Sequence, residues 1–275
     1  MFGVVTRNES EVDWPEFERA CYEMKDVTGR AAEPVAGAVN MISAFGDNAA
    51  VEDNPDLAAV DANGTPATRE QPYFDWSYVC PTHDAYREGI LEMVADAAAE
   101  NVDVRLDDVG FPRQGYCRCE RCETLFDQSE LESWDEWRIQ RIEEFVTAVR
   151  ERVPGKLLLT LYPDPYPGHL EARSGIDLEA LEPHVDEFVV PLYDTAYGTT
   201  YWLEAIASAF EDRLGTSLVI ELYAVDVEID NLVHAAEVAD TYATDVLFGY
   251  DASTARAAIR RLRADDREGV SHGPE

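Results

Sequence analysis

Between Lys156 and Tyr250 the sequence repeats one phrase: KLLLTLY at 156–162, EFVVPLY at 187–193, SLVIELY at 217–223 and DVLFGY at 245–250. Each is a short, nearly continuous apolar run closed by a tyrosine, and each is followed by a stretch of helical pattern. Strands without polar alternation are buried on both faces, as in a parallel sheet covered by helices. The same rhythm extends outward to the N-terminus. Phe2–Thr6, Val35–Ile42 and Val102–Val109 read as strands, while 83–100 and 133–152 read as helices. Residues 14–28 also read as a helix, with Asp13 as N-cap and Pro15 in the first turn. A loop rich in Asn, Asp, Gly and Pro runs from Ser43 to about Pro81.

No glycine-rich phosphate fingerprint follows the first strand, which argues against a dinucleotide-binding sheet. The expected fold is therefore α/β, a TIM-type (β/α) barrel. Seven β-α units are visible where a closed barrel needs eight. Either one unit is irregular, or the first is missing, since Met1 begins almost inside a strand. Residues 1–264 are expected to form one barrel domain, with 265–275 as a flexible tail.

Acidic residues number 56 against 22 basic ones, a formal charge of −34, and the lysines are Lys25 and Lys156 alone. Self-repulsion of this size destabilises a compact chain in dilute salt, and added salt screens it. The pattern suits a halophilic, salt-adapted protein and argues against nucleic-acid or anionic-membrane binding. No apolar run approaches the ~18 residues of a membrane span. A cytoplasmic location with reduced thiols is expected.

Strand parity sorts the polar residues. In Val104-Arg105-Leu106-Asp107 the apolar pair faces the helices, so Arg105 and Asp107 point into the lumen. The same argument turns Glu221 and Tyr223 inward. Asp107 and Glu221 would face each other across the barrel with Arg105 near both. Such a set could be a buried ion network that orders the interior, or a carboxylate pair for glycosidic chemistry. Strand-ending tyrosines (Tyr162, Tyr193, Tyr223, Tyr250), with Trp76 and Trp202, could stack on sugar faces, and Arg105 could assist binding. Strand-ending aspartates such as Asp251 and Asp194 could simply cap the next helix.

Cys117-x-Cys119-x-x-Cys122 sets three thiols on one tight loop, and Cys80 offers a fourth from the neighbouring strand-to-helix loop. Four such ligands make a closed tetrahedral site of structural zinc type. Cys21, on the expected first helix, reads as a small buried hydrophobe.

The segment with Cys80-Pro, Tyr86-Arg87, the strand ending Asp107-Asp108-Val-Gly110 and the Cys117–Cys122 loop with Phe126 resembles the zinc-carrying microbial β-galactosidases. The likeness covers about residues 76–126. It implies zinc on Cys80, Cys117, Cys119 and Cys122, an acid/base at Asp108 and a nucleophile at Glu221. This chain has Asp-Asp where that family has Asn-Glu, so the resemblance favours Asp108 while parity favours Asp107. The expected activity is hydrolysis of a glycosidic bond, with a carbohydrate as partner. The alternatives are a non-catalytic barrel that binds carbohydrate or a partner protein, and a metal-dependent hydrolase using strand-end aspartates. Self-association stays open.

Overall fold

A computed structural model describes residues 1–194 and 197–270, without the side chains of 265–270. Eight parallel strands close into a barrel in sequence order, β1 pairing with β8. The strands are β1 (Phe2–Thr6), β2 (Arg19–Lys25), β3 (Val39–Ser43), β4 (Val104–Asp107), β5 (Leu157–Thr160), β6 (Glu187–Leu192), β7 (Ser217–Tyr223) and β8 (Asp245–Gly249). The helices are α1 (Asn48–Asp53), α2 (Asp84–Glu100), α3 (Glu120–Asp127), α4 (Trp134–Arg150), α5 (His169–Ser174), α6 (Leu178–Leu181), α7 (Tyr201–Glu211), α8 (Ile229–Tyr242) and α9 (Ala252–Val270). Among the described residues no helix is long and apolar enough to cross a membrane. Of the flexible tail expected at 265–275, residues 265–270 continue the α9 backbone, and 271–275 lie outside the described residues.

The barrel is complete, which corrects the count of seven. The eighth strand is β2, inside the segment read as a helix. Trp14, Phe17, Cys21 and Met24 imitate helical spacing, and the charges between them imitate a solvated face. In the barrel, Ala20, Tyr22 and Met24 pack outward against the helix layer, and Cys21 joins the lumen core. Arg19 and Glu23, on the lumen side with Cys21, are charged because they stand at the two ends of the barrel, where water or a counter-ion is within reach. Cys21 is buried as expected, but on a strand. The region from Ser43 to Pro81 is also more ordered than a plain loop, holding α1, a 3-10 turn at Pro55–Leu57 and bridges such as Ala58 to Val79.

Two apolar layers result. Val5, Cys21, Val39, Met41, Leu158, Val189, Val219 and Leu247 fill the lumen. Leu106, Leu159, Val190, Ile220 and Phe248 face outward to the helices. The N-terminal end is plugged by ions, with Arg19 Nη1 2.5 Å from Glu187 and 2.8 Å from Asp245. Apart from the buried Arg105–Glu221 pair, the charged residues of the lumen stand at its two ends, and the C-terminal end carries the cavity.

Gly3 marks how tightly the lumen closes, since a Cβ there would lie 2.5 Å from the Arg19 carbonyl oxygen and 2.7 Å from Leu247 Cδ2. Gly3→Ala is expected to lower unfolding free energy by about 1–3 kcal/mol, the usual scale for overpacking. Denaturant titration monitored by tryptophan fluorescence measures it.

Candidate active site

The strands deliver their last inward residues to one cavity of about 370 Å³ at the C-terminal mouth. Glu23 comes from β2, Ser43 from β3, Asp107 and Asp108 from the end of β4, Thr160 and Tyr162 from β5, Tyr193 from β6 and Tyr250 from β8. The long segment after β3 adds a wall of Tyr73, Phe74, Asp75, Trp76 and Tyr78, and the segment after β4 adds Phe111 and Pro112.

Below this floor lies the ion network that strand parity predicts. Arg105 is fully buried, with Nη1 2.6 Å from Glu221 and Nε 2.9 Å from Asp107. Its Nε also donates to Thr160 Oγ1 at 3.0 Å, and the Thr160 hydroxyl donates to Asp107. Glu221 is likewise fully buried and accepts a hydrogen bond from the Tyr193 hydroxyl. Burial pushes the Glu221 carboxyl above its usual range, against the pull of Arg105. A charge trio of this kind is costly to break, since removing one member strands another without water.

Two sequence expectations change here. Glu221 does not line the cavity, because Tyr193 covers it, and Arg105 is beneath the floor with its guanidinium committed to carboxylates. Both hold Asp107 in place instead. Tyr162, Tyr193, Tyr250 and Trp76 do line the cavity, whereas Tyr223 lies behind Tyr193, ring centroids 5.2 Å apart. Trp202 packs on the core near Tyr197. Asp251 caps α9 by accepting from the Ser253 and Thr254 amides.

The choice between Asp107 and Asp108 dissolves. The strand ends at Asp107, and Asp108 enters the left-handed region with φ 52°. That turn breaks strand alternation, so consecutive carboxylates both reach the cavity. Asp108 accepts from Ser43 Oγ at 2.6 Å. Burial, and then the Asp107 charge beside it, push its carboxyl up to about 7, against the opposing pull of Ser43 and Lys25. Gly46 lets this corner close, because a Cβ there would meet Trp76 Nε1, Asp108 Oδ2 and Ser43 Oγ within 3.0 Å.

Glu23 and Arg7 are cavity residues that the sequence did not reveal. Arg7 donates to Glu23 through Nε and lies 3.7 Å from Asp26. Burial raises the Glu23 carboxyl, and Arg7 opposes the rise. The alternation of Ala20, Tyr22 and Met24 is the signal that could have found Glu23, had β2 been seen.

Beside the cavity, Cys80, Cys117, Cys119 and Cys122 bring their sulfurs within 4.8 Å of one another. Cys80 Sγ is 3.4 Å from Cys122 Sγ and 3.7 Å from Cys119 Sγ. Four sulfurs around a tetrahedral zinc at ~2.3 Å stand roughly 3.8 Å apart. The Val60 amide donates to Cys117 Sγ at 3.3 Å. The donor set fits a metal ion. The cluster lies where the cavity wall after β3 approaches the loop after β4, and there Phe74 meets Tyr116 edge-on at 5.5 Å.

No family model matches this chain, and no curated protein matches it. Solved structures do. The fold is similar to that of α-L-fucosidase isoenzyme 2 from Paenibacillus thiaminolyticus, with 12% identity, a TM-score of 0.64, and coverage of 94% of this chain and 46% of that one. It is also similar to a GH18 chitinase from Cycas revoluta in complex with (GlcNAc)4, with 10% identity, a TM-score of 0.57, and coverage of 96% and 98%. Both neighbours are glycoside hydrolases on a TIM-type barrel. The chain spans less than half the length of the fucosidase. At these identities the likeness is one of fold.

Asp108 makes stability depend on pH. A carboxyl whose folded pKa lies above its unfolded value binds a proton on folding, so its contribution is full at acid pH and is lost as pH rises to about 7. Asp108→Asn mimics the protonated form at every pH. Its stability gain over wild type should grow from about pH 4 and level off above about pH 7, reaching about 2 kcal/mol after allowance for solvent in the cavity. Urea titrations at several pH values read it.

Proposed function

We propose that the chain is a glycoside hydrolase whose chemistry is carried by Asp107 and Asp108. The observation that carries this reading is two consecutive carboxylates in one aromatic-lined cavity with opposite environments. One is bound by a buried guanidinium, and the other is pushed up to about 7. Divergent environments are how paired carboxyls divide acid and base roles.

Asp108, protonated near neutral pH, donates its proton to the glycosidic oxygen as the bond to the anomeric carbon breaks. Asp107 stabilises the positive charge developing on the sugar. Asp108, now ionised, takes a proton from the water that completes hydrolysis. Glu221 and Arg105 act through Asp107 as positioning residues. The aromatic wall of Trp76, Tyr162 and Tyr193 offers stacking surface for sugar rings. A salt-rich, reducing cytoplasm is the compartment that the acidic composition and the cysteines without disulfides suit.

A second reading is a barrel that binds carbohydrate without turnover. It is favoured by one observation, the absence of Glu221 from the cavity. Hydrolysis of aryl glycosides by wild type in high salt separates the two. Asp108→Asn should lower kcat about 10²–10⁴-fold, the usual share of general acid catalysis, and abolish the loss of rate as pH rises through about 7. Unchanged rates in Asp108→Asn and Asp107→Asn would remove the hydrolase reading.

The metal is taken to be zinc, because four soft thiolates with no open position suit a structural site of the type seen in the β-galactosidases that this segment resembles. Its contribution is to clamp two cavity-forming loops. Elemental analysis of the purified protein should find about one zinc per chain. Cys119→Ser should lose the metal and lower the thermal midpoint, as should a chelator.

A further inference from the structure

We infer that the cavity takes an anionic sugar, a uronate or a sulfated residue, and that Arg173 holds its charge. The inference rests on the glycoside reading above and adds the substrate class.

Arg173 stands out among the cavity's cations. Acidic residues number 56 in this chain against 22 basic ones, so a guanidinium has carboxylates in plentiful supply. Arg7, also lining the cavity, is committed to Glu23, and Arg105 is committed below the floor. The Arg173 guanidinium carbon lies over the Tyr162 ring, 3.6 Å from its centroid. Among the described residues it makes no hydrogen bond and no ion pair. Stacking uses the face of the group and leaves the edge N–H donors free, the fork that binds a carboxylate or sulfate in two-point fashion.

The placement is also built. Arg138 is a fully buried arginine, and its Nη1 donates to the Ala172 carbonyl at 2.9 Å and its Nη2 to the Arg173 carbonyl at 2.7 Å. The same Nη2 reaches the Arg113 carbonyl at 3.4 Å. Arg113 repeats the pattern one step further out, 4.6 Å over the ring of Tyr73, another wall residue, with no side-chain hydrogen bond or ion pair among the described residues. One buried cation thus fixes the backbone beneath two half-buried arginines, each stacked on a tyrosine of the cavity wall. A neutral sugar gives such donors only ordinary hydroxyl contacts. A charged one supplies the missing counter-ion.

Facing groups limit where the anion sits. Asp107, Asp108, Glu23 and Asp75 line the same cavity and would repel it, so its charged group belongs on the Tyr162 and Arg173 side, with the glycosidic bond towards Asp108.

The test compares aryl glucuronides and galacturonides of both anomers, aryl glycosides carrying a sulfate ester, and their neutral counterparts at one salt concentration. Wild type should favour one anionic class in kcat/KM, and which class it is separates carboxylate from sulfate. Arg173→Gln should cut that preference about 10- to 100-fold, mainly through KM, as expected for a lost charge-assisted contact. Arg173→Lys should restore part of it. Equal rates on neutral substrates, or a preference untouched in Arg173→Gln, would overturn the inference. If no glycoside is hydrolysed, the proposed function fails, and calorimetric binding of oligogalacturonate and of a sulfated oligosaccharide decides this inference alone. Binding lost in Arg173→Gln supports it, and binding absent or unaltered overturns it.

Discussion

The C-terminal half of this barrel depends on a guanidinium placed where water does not reach. Arg105 stands in the lumen, fully buried, between Glu221 on β7 and Asp107 on its own strand. A cation there is tolerable only because two carboxylates and a threonine hydroxyl surround it. The partnership joins strands on opposite sides of the barrel, so the height and direction of Asp107 follow from closure of the sheet. Tyr193 completes the arrangement by donating to Glu221 and turning its ring towards the opening, which separates the dry network from the wet cavity. Floor, cavity carboxylates and aromatic wall are therefore one structure.

Much of this was legible from the amino acids alone. The four phrases ending in tyrosine correspond to β5 to β8, with SLVIELY matching β7 residue for residue. Parity placed Arg105, Asp107 and Glu221 inward because leucine, isoleucine and valine left no other face for them. What parity lacks is depth. Asp107 and Glu221 share an inward orientation, yet one lines the cavity and the other lies under a tyrosine, a difference set by strand stagger and by which neighbour folds over the top. β2 was missed for a related reason. Its lumen-side charges are stabilised by partners distant in sequence, Glu187 and Asp245 for Arg19, and Arg7 for Glu23. Local pattern alone makes such charges resemble a solvated helical face.

The cysteine cluster was visible from spacing, and its place in the fold explains why it is there. Loops that line a cavity have few apolar contacts of their own and are usually the least stable part of a barrel. Here the wall after β3 and the loop after β4 meet at Cys80, Cys117, Cys119 and Cys122, a donor set that suits a metal ion. With a net charge of −34, the attachment that the proposed metal would supply there is one that salt does not screen away. The fold neighbours share the barrel, and the present chain places this four-cysteine cluster beside its mouth.

The left-handed residue at the end of β4 has a consequence for inheritance. A backbone at φ 52° admits glycine, asparagine and aspartate with little penalty and resists branched or bulky replacements. Mutational drift at position 108 is thus funnelled into a narrow alphabet, in which the one-step exchange of acid for amide keeps shape while discarding the transferable proton. Under the hydrolase reading proposed above, that exchange would leave the scaffold intact and remove turnover.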